Sequence, residues 1–189
     1  MICDADAAHY IARYRDVERF EELCRACPNY ATRWGCPPFD DNPQPRLEQY
    51  DNVRLCVVKI DLEPAMAESQ YDMTQAMMRT LQSVRPQYEQ KLLDLEKDLH
   101  GRAALFTGMC PHCPDRPCAR RSGNECHHPG LVRPSLEALG FDLGRTLADY
   151  FGIELLWASD EKAPAYMCLI GAVFHPRQDL ALLKPESVE

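Results

Sequence analysis

Two short groups of cysteines, each set in a proline-rich segment, constrain this chain more than any other feature. The first, CRACPNYATRWGCPPF, spaces Cys24, Cys27 and Cys36 as C-x2-C-x8-C. The second, MCPHCPDRPCARRSGNECHHPG, spaces Cys110, Cys113, Cys118 and Cys126 as C-x2-C-x4-C-x7-C. Neither segment reads as helix or strand. From Cys27 to Arg46 five prolines and two asparagines interrupt the backbone, and Pro111, Pro114 and Pro117 do the same in the second segment; proline lacks the N–H that both kinds of ladder need. The remainder of the chain therefore serves as a scaffold that presents two cysteine-rich loops, at about 24–38 and 109–130. A chain of 189 residues holds one substantial core, whereas two independent domains would each be marginal, so a single domain is expected.

The scaffold can be read from periodicity. Tyr10, Ile11, Tyr14, Val17, Phe20 and Leu23 share a helical face, giving one or two helices between Asp4 and Cys27 with a break near Asp16. The run NVRLCVVKIDL, Asn52 to Leu62, is β-branched and alternating, which predicts a strand. From Pro64 to about His100 the pattern is helical, and Pro86 is expected to kink or divide it. Met66, Met73, Met77 and Met78 fall on that pattern as core filler. A short strand, ALFTG, leads into the second cysteine group. RPSLEALGFDLGRTLADYFG then predicts two short helices, with Ser135 as N-cap and Gly140 as C-cap, and IELLWAS and AYMCLIGAVF predict two further strands. The sum is an α+β (mixed α/β) domain with a sheet of about four strands, flanking helices and two cysteine-rich metal loops.

Compartment and charge decide what the cysteines are for. The opening MICDADAAHYIARYRD has no basic segment followed by an apolar one, so no secretory signal is expected and a cytoplasmic location follows. Thiols stay reduced there, and clustered cysteines become metal ligands or redox groups rather than disulfides. Of ten cysteines, seven lie in the two groups, while Cys56 and Cys168 sit in apolar runs as small core residues. The net charge of −8 opposes a phosphate-backbone grip, which excludes nucleic acid as the expected partner, and no apolar stretch approaches membrane-spanning length.

Four thiolates within 17 residues, held open by prolines, are preorganised for metal. Structural zinc joins two C-x2-C knuckles across a dozen or more residues; here every gap is short, as in a loop wrapping one side of an iron–sulfur cluster, with four-iron, four-sulfur the commonest type for four cysteines. Iron–sulfur is therefore weighed above zinc. Arg116, Arg120 and Arg121 either raise the potential of such a cluster or simply keep the loop soluble. His127 and His128 could substitute for or supplement a thiolate, but they follow a complete thiolate set that leaves no vacancy, so the reading without ligation is weighed above it. Cys24, Cys27 and Cys36 are one ligand short: the fourth comes from Cys3, Cys56 or the second loop, or the position is open to substrate or water, or the three merely pack or react with oxidants. Tyr30 and Trp34 staple that loop to the body or shield it.

These elements together resemble the family of microbial domains of unknown function labelled "predicted metal-binding protein". The matching positions are Cys24, Cys27, Asn29, Tyr30, Trp34, Cys36, Pro37 and Pro38, then Cys110, Cys113, Cys118 and Cys126, then Pro134, Ser135, Glu137, Ala138 and Gly140. Ala31, where the family prefers glycine, and the pair His127 and His128, where arginine and then histidine is usual, depart from the pattern and leave every thiolate in place. The resemblance implies metal binding without a reaction. Three functions stay open: an iron–sulfur protein serving electron transfer with a redox partner protein or assisting a partner enzyme, a zinc-stabilised adaptor, and an enzyme with an open metal position at the three-cysteine group.

Overall fold

The apolar run beginning at Asn52 becomes the strand on which the molecule is built. The computed structural model describes residues 1–39, 46–62, 70–105, 110–157 and 164–177, with side chains in the long helix from residue 78 onward. Strands β1 (Ile2–Asp6), β2 (Asn52–Asp61), β3 (Arg102–Ala104) and β4 (Tyr166–His175) form one antiparallel sheet in the order β1-β2-β4-β3. β2 and β4 pair along their whole length, from Asn52 opposite His175 to Asp61 opposite Tyr166. Their alternation divides the side chains between two faces. Val53, Leu55, Val57, Ile170, Ala172 and Phe174 enter one core, and Cys56, Leu169 and Val173 enter another.

Helices α1 (Ala7–Tyr14), α2 (Val17–Arg25), α3 (Gln70–Asp98) and α4 (Leu143–Phe151) complete the α+β fold. Asp6, Asp16 and Asp142 each cap a helix start, accepting from the N–H of His9 at 2.7 Å, Arg19 at 3.1 Å and Arg145 at 3.0 Å; such caps contribute about 1 kcal/mol each. α1 turns Ala7, Tyr10 and Tyr14 into the first core, where the Tyr10 ring stacks on Phe141 at 4.9 Å and its hydroxyl meets that of Thr146 at 3.1 Å. α3 covers the opposite face of the sheet with Tyr88, Leu92, Leu93 and Leu99. Its close approach depends on Gly171, where a Cβ would lie 2.6 Å from Leu92 and 2.8 Å from the Ala104 carbonyl.

The break between the first two helices falls at Asp16, as expected. It is pinned by the Asp16 N–H donating to the Gly140 carbonyl at 2.7 Å and by a bridge between Arg15 and Phe141. Other expectations are corrected. Pro86 does not divide α3; it is exposed, so the hydrogen bond it removes lies where water substitutes. Residues 153–157 of IELLWAS form no strand. The free edge of β2 is taken instead by β1, which the sequence reading missed, while Ile153 packs into the first core as the chain leaves α4. The segment 136–140 is a turn rather than a helix, although Ser135 does cap it, its Oγ accepting from the Ala138 N–H at 3.2 Å. The strand before the second loop is Arg102–Ala104; of the expected ALFTG, residues 106–108 lie outside the described residues. So do Met66 and the side chains of Met73 and Met77, and Met78 is partly exposed rather than core. Among the described residues no helix is long and apolar enough to cross a membrane.

Candidate metal centre

The first loop starts as the last turn of α2 unwinds. Cys24 lies in that turn and Cys27 just beyond it, its N–H donating to the Cys24 carbonyl at 2.9 Å. Further tight turns follow, Tyr30 N–H to Cys27 carbonyl at 3.0 Å and Cys36 N–H to Arg33 carbonyl at 3.1 Å, and the Ala31 N–H donates across the loop to the Pro37 carbonyl at 2.8 Å. The Tyr30 hydroxyl donates to Glu21 at 3.1 Å, which ties the loop back to α2. Ala31 holds φ +56°, the left-handed region that favours glycine. That gives a physical reason for a glycine preference at this position.

The second loop is built likewise from turns, with a 3-10 turn at Ala119–Ser122 closed by Gly123 at φ +69°. Cys110, Cys113, Cys118 and Cys126 all line one small hollow of about 20 Å³, together with His112, His127 and His128. The His128 N–H donates to Cys126 Sγ at 3.4 Å. Burial pushes the Cys110 thiol up from its ordinary range, and the charges of Cys118, Cys126 and Cys113 add to the rise; burial does the same for Cys126. Arg133 fixes the loop's exit. Its guanidinium donates to Glu96 of α3 at 2.6 Å and to the carbonyls of Gly130 and Val132 at 3.0 and 2.9 Å.

The two loops are clamped together. Arg120, between Cys118 and Cys126, donates to the carbonyls of Arg33 at 2.8 Å, Cys36 at 2.6 Å and Pro38. The same guanidinium lies 5.4 Å from the Trp34 ring centre, and the Trp34 indole N–H donates to the Asn124 carbonyl at 3.2 Å. Arg120 is therefore a cross-brace, not a solubilising surface residue, and Trp34 staples one cysteine loop to the other. Cys36 and Cys110 line a common hollow of about 20 Å³ beside the buried Arg85–Glu89 pair of α3.

Cys24, Cys27 and Cys36 lie within one another's electrostatic reach. Burial and then the neighbouring Cys27 raise the Cys24 thiol, and the same two causes push Cys36 up to about 11. Of the candidates for a fourth ligand, Cys3 lies on β1 at the sheet edge and Cys56 in the core under α3; the second loop supplies the neighbour, Cys110. One residue given no role from the sequence is Glu137. Its Oε2 is buried without a hydrogen-bond partner, burial raises its carboxyl above the usual range, and its charge bears on Cys24. No spacing rule links position 137 to the cysteines, so only the folded chain exposes the relation.

The donor chemistry fits a thiophilic metal or an iron–sulfur cluster: seven thiols on two braced loops, four of them around one hollow. As they stand, no three cysteine, histidine, aspartate or glutamate side chains among the described residues converge closely enough to hold a metal ion. Arg120 and Trp34 hold the two loops against each other, and Cys36 and Cys110 are the cysteines of different loops that share a hollow. Searches among curated proteins and among solved structures return no significant match. The profile of one protein family matches residues 12–173, a span that includes all seven clustered cysteines, and the chain therefore belongs to the family described as Predicted metal-binding protein (DUF2284).

Proposed function

We propose that this metal-binding protein carries iron–sulfur chemistry in redox metabolism, exchanging single electrons with a partner protein or assisting a partner enzyme in a reducing compartment. Cys110, Cys113, Cys118 and Cys126 are the residues to hold a four-iron, four-sulfur cluster, and Cys24, Cys27 and Cys36 the residues of a second, three-thiolate centre. Bound there, such a cluster supplies one-electron transfer. The observation that carries the proposal is the hollow ringed by the four thiols of one short loop, with the first loop braced against it by Arg120. The short gaps between these four cysteines favour a cluster over one zinc ion, because structural zinc usually joins two C-x2-C knuckles across a dozen or more residues. The protein's own residues hold the two loops together through Arg120 and Trp34 and fix the loop exit through Arg133.

The test is purification without air followed by iron, sulfide and zinc analysis and electron paramagnetic resonance of the reduced protein. The expected result is a brown protein with several irons, matching acid-labile sulfide and a reduced-cluster signal. A colourless anaerobic preparation holding zinc alone overturns the proposal in favour of a zinc-stabilised adaptor.

A further inference from the structure

A solvent-open cleft of about 770 Å³ runs between the middle turns of α3 and the two cysteine loops. Its apolar wall comes from Met78, Leu81 and Pro86 on the helix and from the loop prolines, and Cys110, Cys113 and Cys118 line its inner side. Its charges are one-sided. Arg33, Arg85, Arg116 and Arg121 line it, and no aspartate or glutamate does among the described residues. Arg85 is ion-paired with Glu89 at 2.7 Å, and Arg33 Nε is held by the neutral Asn29 side chain at 2.7 Å. Arg116 and Arg121 are exposed residues of the second loop.

This arrangement runs against the balance of the whole chain, which carries 29 acidic residues to 21 basic ones. An excess of positive charge in a concave site with apolar walls focuses its field on an incoming anion, and planar guanidinium groups suit carboxylate, sulfonate and phosphate oxygens. The cleft is far larger than an inorganic anion needs and lies within the size range of organic ligand sites. We infer that it binds an organic anion, a molecule with an apolar or aromatic body and at least one carboxylate, sulfonate or phosphate group, with Arg116, Arg121 and Arg33 engaging the anion and the Met78, Leu81 and Pro86 wall engaging the body. The body then lies against the thiols of the second loop. That it lies beside an iron–sulfur centre rests on the function proposed above; the preference for an anion rests on the arginines alone.

The probe is 8-anilinonaphthalene-1-sulfonate, with uncharged N-phenyl-1-naphthylamine as its neutral counterpart. Both are measured by equilibrium dialysis against anaerobically purified protein whose metal content is recorded for each sample. The expected result is one saturable sulfonate site per chain, weakened about tenfold in R116Q/R121Q, the loss that one charge-assisted contact represents. R116K/R121K restores most of the affinity, R13Q/K91Q leaves it within about twofold because those exposed charges lie outside the cleft, and the neutral probe binds wild type and R116Q/R121Q alike. Equal sulfonate affinity in wild type and R116Q/R121Q, or no saturable site, overturns the inference. So does arginine-dependent binding of poly-glutamate that the sulfonate does not compete for, which assigns the arginines to an acidic protein partner instead. Arginine-dependent sulfonate binding in a sample that holds zinc alone supports the inference while overturning the iron–sulfur proposal, so the two fail separately.

Discussion

Ala31 shows how one side chain can be held where its chemistry is least suited. At φ +56° its Cβ meets the following carbonyl, a cost of roughly 1–2 kcal/mol that glycine avoids, partly offset by glycine's greater backbone entropy when unfolded. Ala31→Gly is expected to stabilise the protein by about 0.5–1 kcal/mol, read as a rise of a few degrees in melting temperature at unchanged metal content. Glu96 and Arg133 form the other residue-scale test, a pair whose side chains are 13% and 8% exposed. Burial pushes the Glu96 carboxyl up, but hydrogen bonds from Arg133 and from the Ala103 N–H, with the Arg133 charge, outweigh it and hold it below the usual carboxylate range. A depressed pKa in the folded state stabilises above the ordinary glutamate value of about 4.3, and that stability is lost as pH drops through the lowered one. Glu96→Gln should therefore cost about 3–5 kcal/mol at pH 7 by leaving Arg133 uncompensated, with the gap to wild type narrowing toward pH 3 in denaturant titrations.

Among the elements, those whose own pattern suffices were legible in the sequence. The two helices broken at Asp16, the strand from Asn52, the helical run ending near Asp98 and the strand from Tyr166 all carry their periodicity or their β-branched content within themselves. What was not legible depended on a partner. Ile2–Asp6 contains Cys3, Asp4 and Asp6 and reads as no strand until it lies beside Cys56 to Asn52, whereas residues 153–157 pair with no strand and Ile153 packs into the first core. The site divided in the same way. Which cysteines cluster was plain from spacing, but Arg120 acts by donating to three main-chain carbonyls, and no side-chain pattern announces an acceptor that every residue possesses. Glycine 171 is an element-scale case as well, since its missing side chain sets how close α3 lies to the sheet. Gly171→Ala is expected to lose about 1–3 kcal/mol through overlap with Leu92 and Tyr88, measured by thermal unfolding.

At the scale of the molecule, the two cores are distinct from the cysteine loops. The buried clusters are built from the sheet, the helices and the segment 136–147, with Cys56 the sole cysteine fully buried in either. Removing the metal is therefore expected to leave far-ultraviolet dichroism nearly unchanged and amide protection intact in β2 and β4, while protection is lost across 24–38 and 110–130, as mapped by hydrogen exchange. Global unfolding on chelation would instead mean that the metal, not the core, holds the fold.

The brace at Arg120 has a consequence for how the protein matures. Its anchor lies between two proposed ligands of one loop and its grip is on the main chain around a proposed ligand of the other, so drawing Cys118 and Cys126 inward pulls the backbone at Cys36 with them. Assembly of the two centres should then be a concerted event, appearing in anaerobic reconstitution as a single sigmoidal rise, and Arg120→Gln should split that rise into two independent steps.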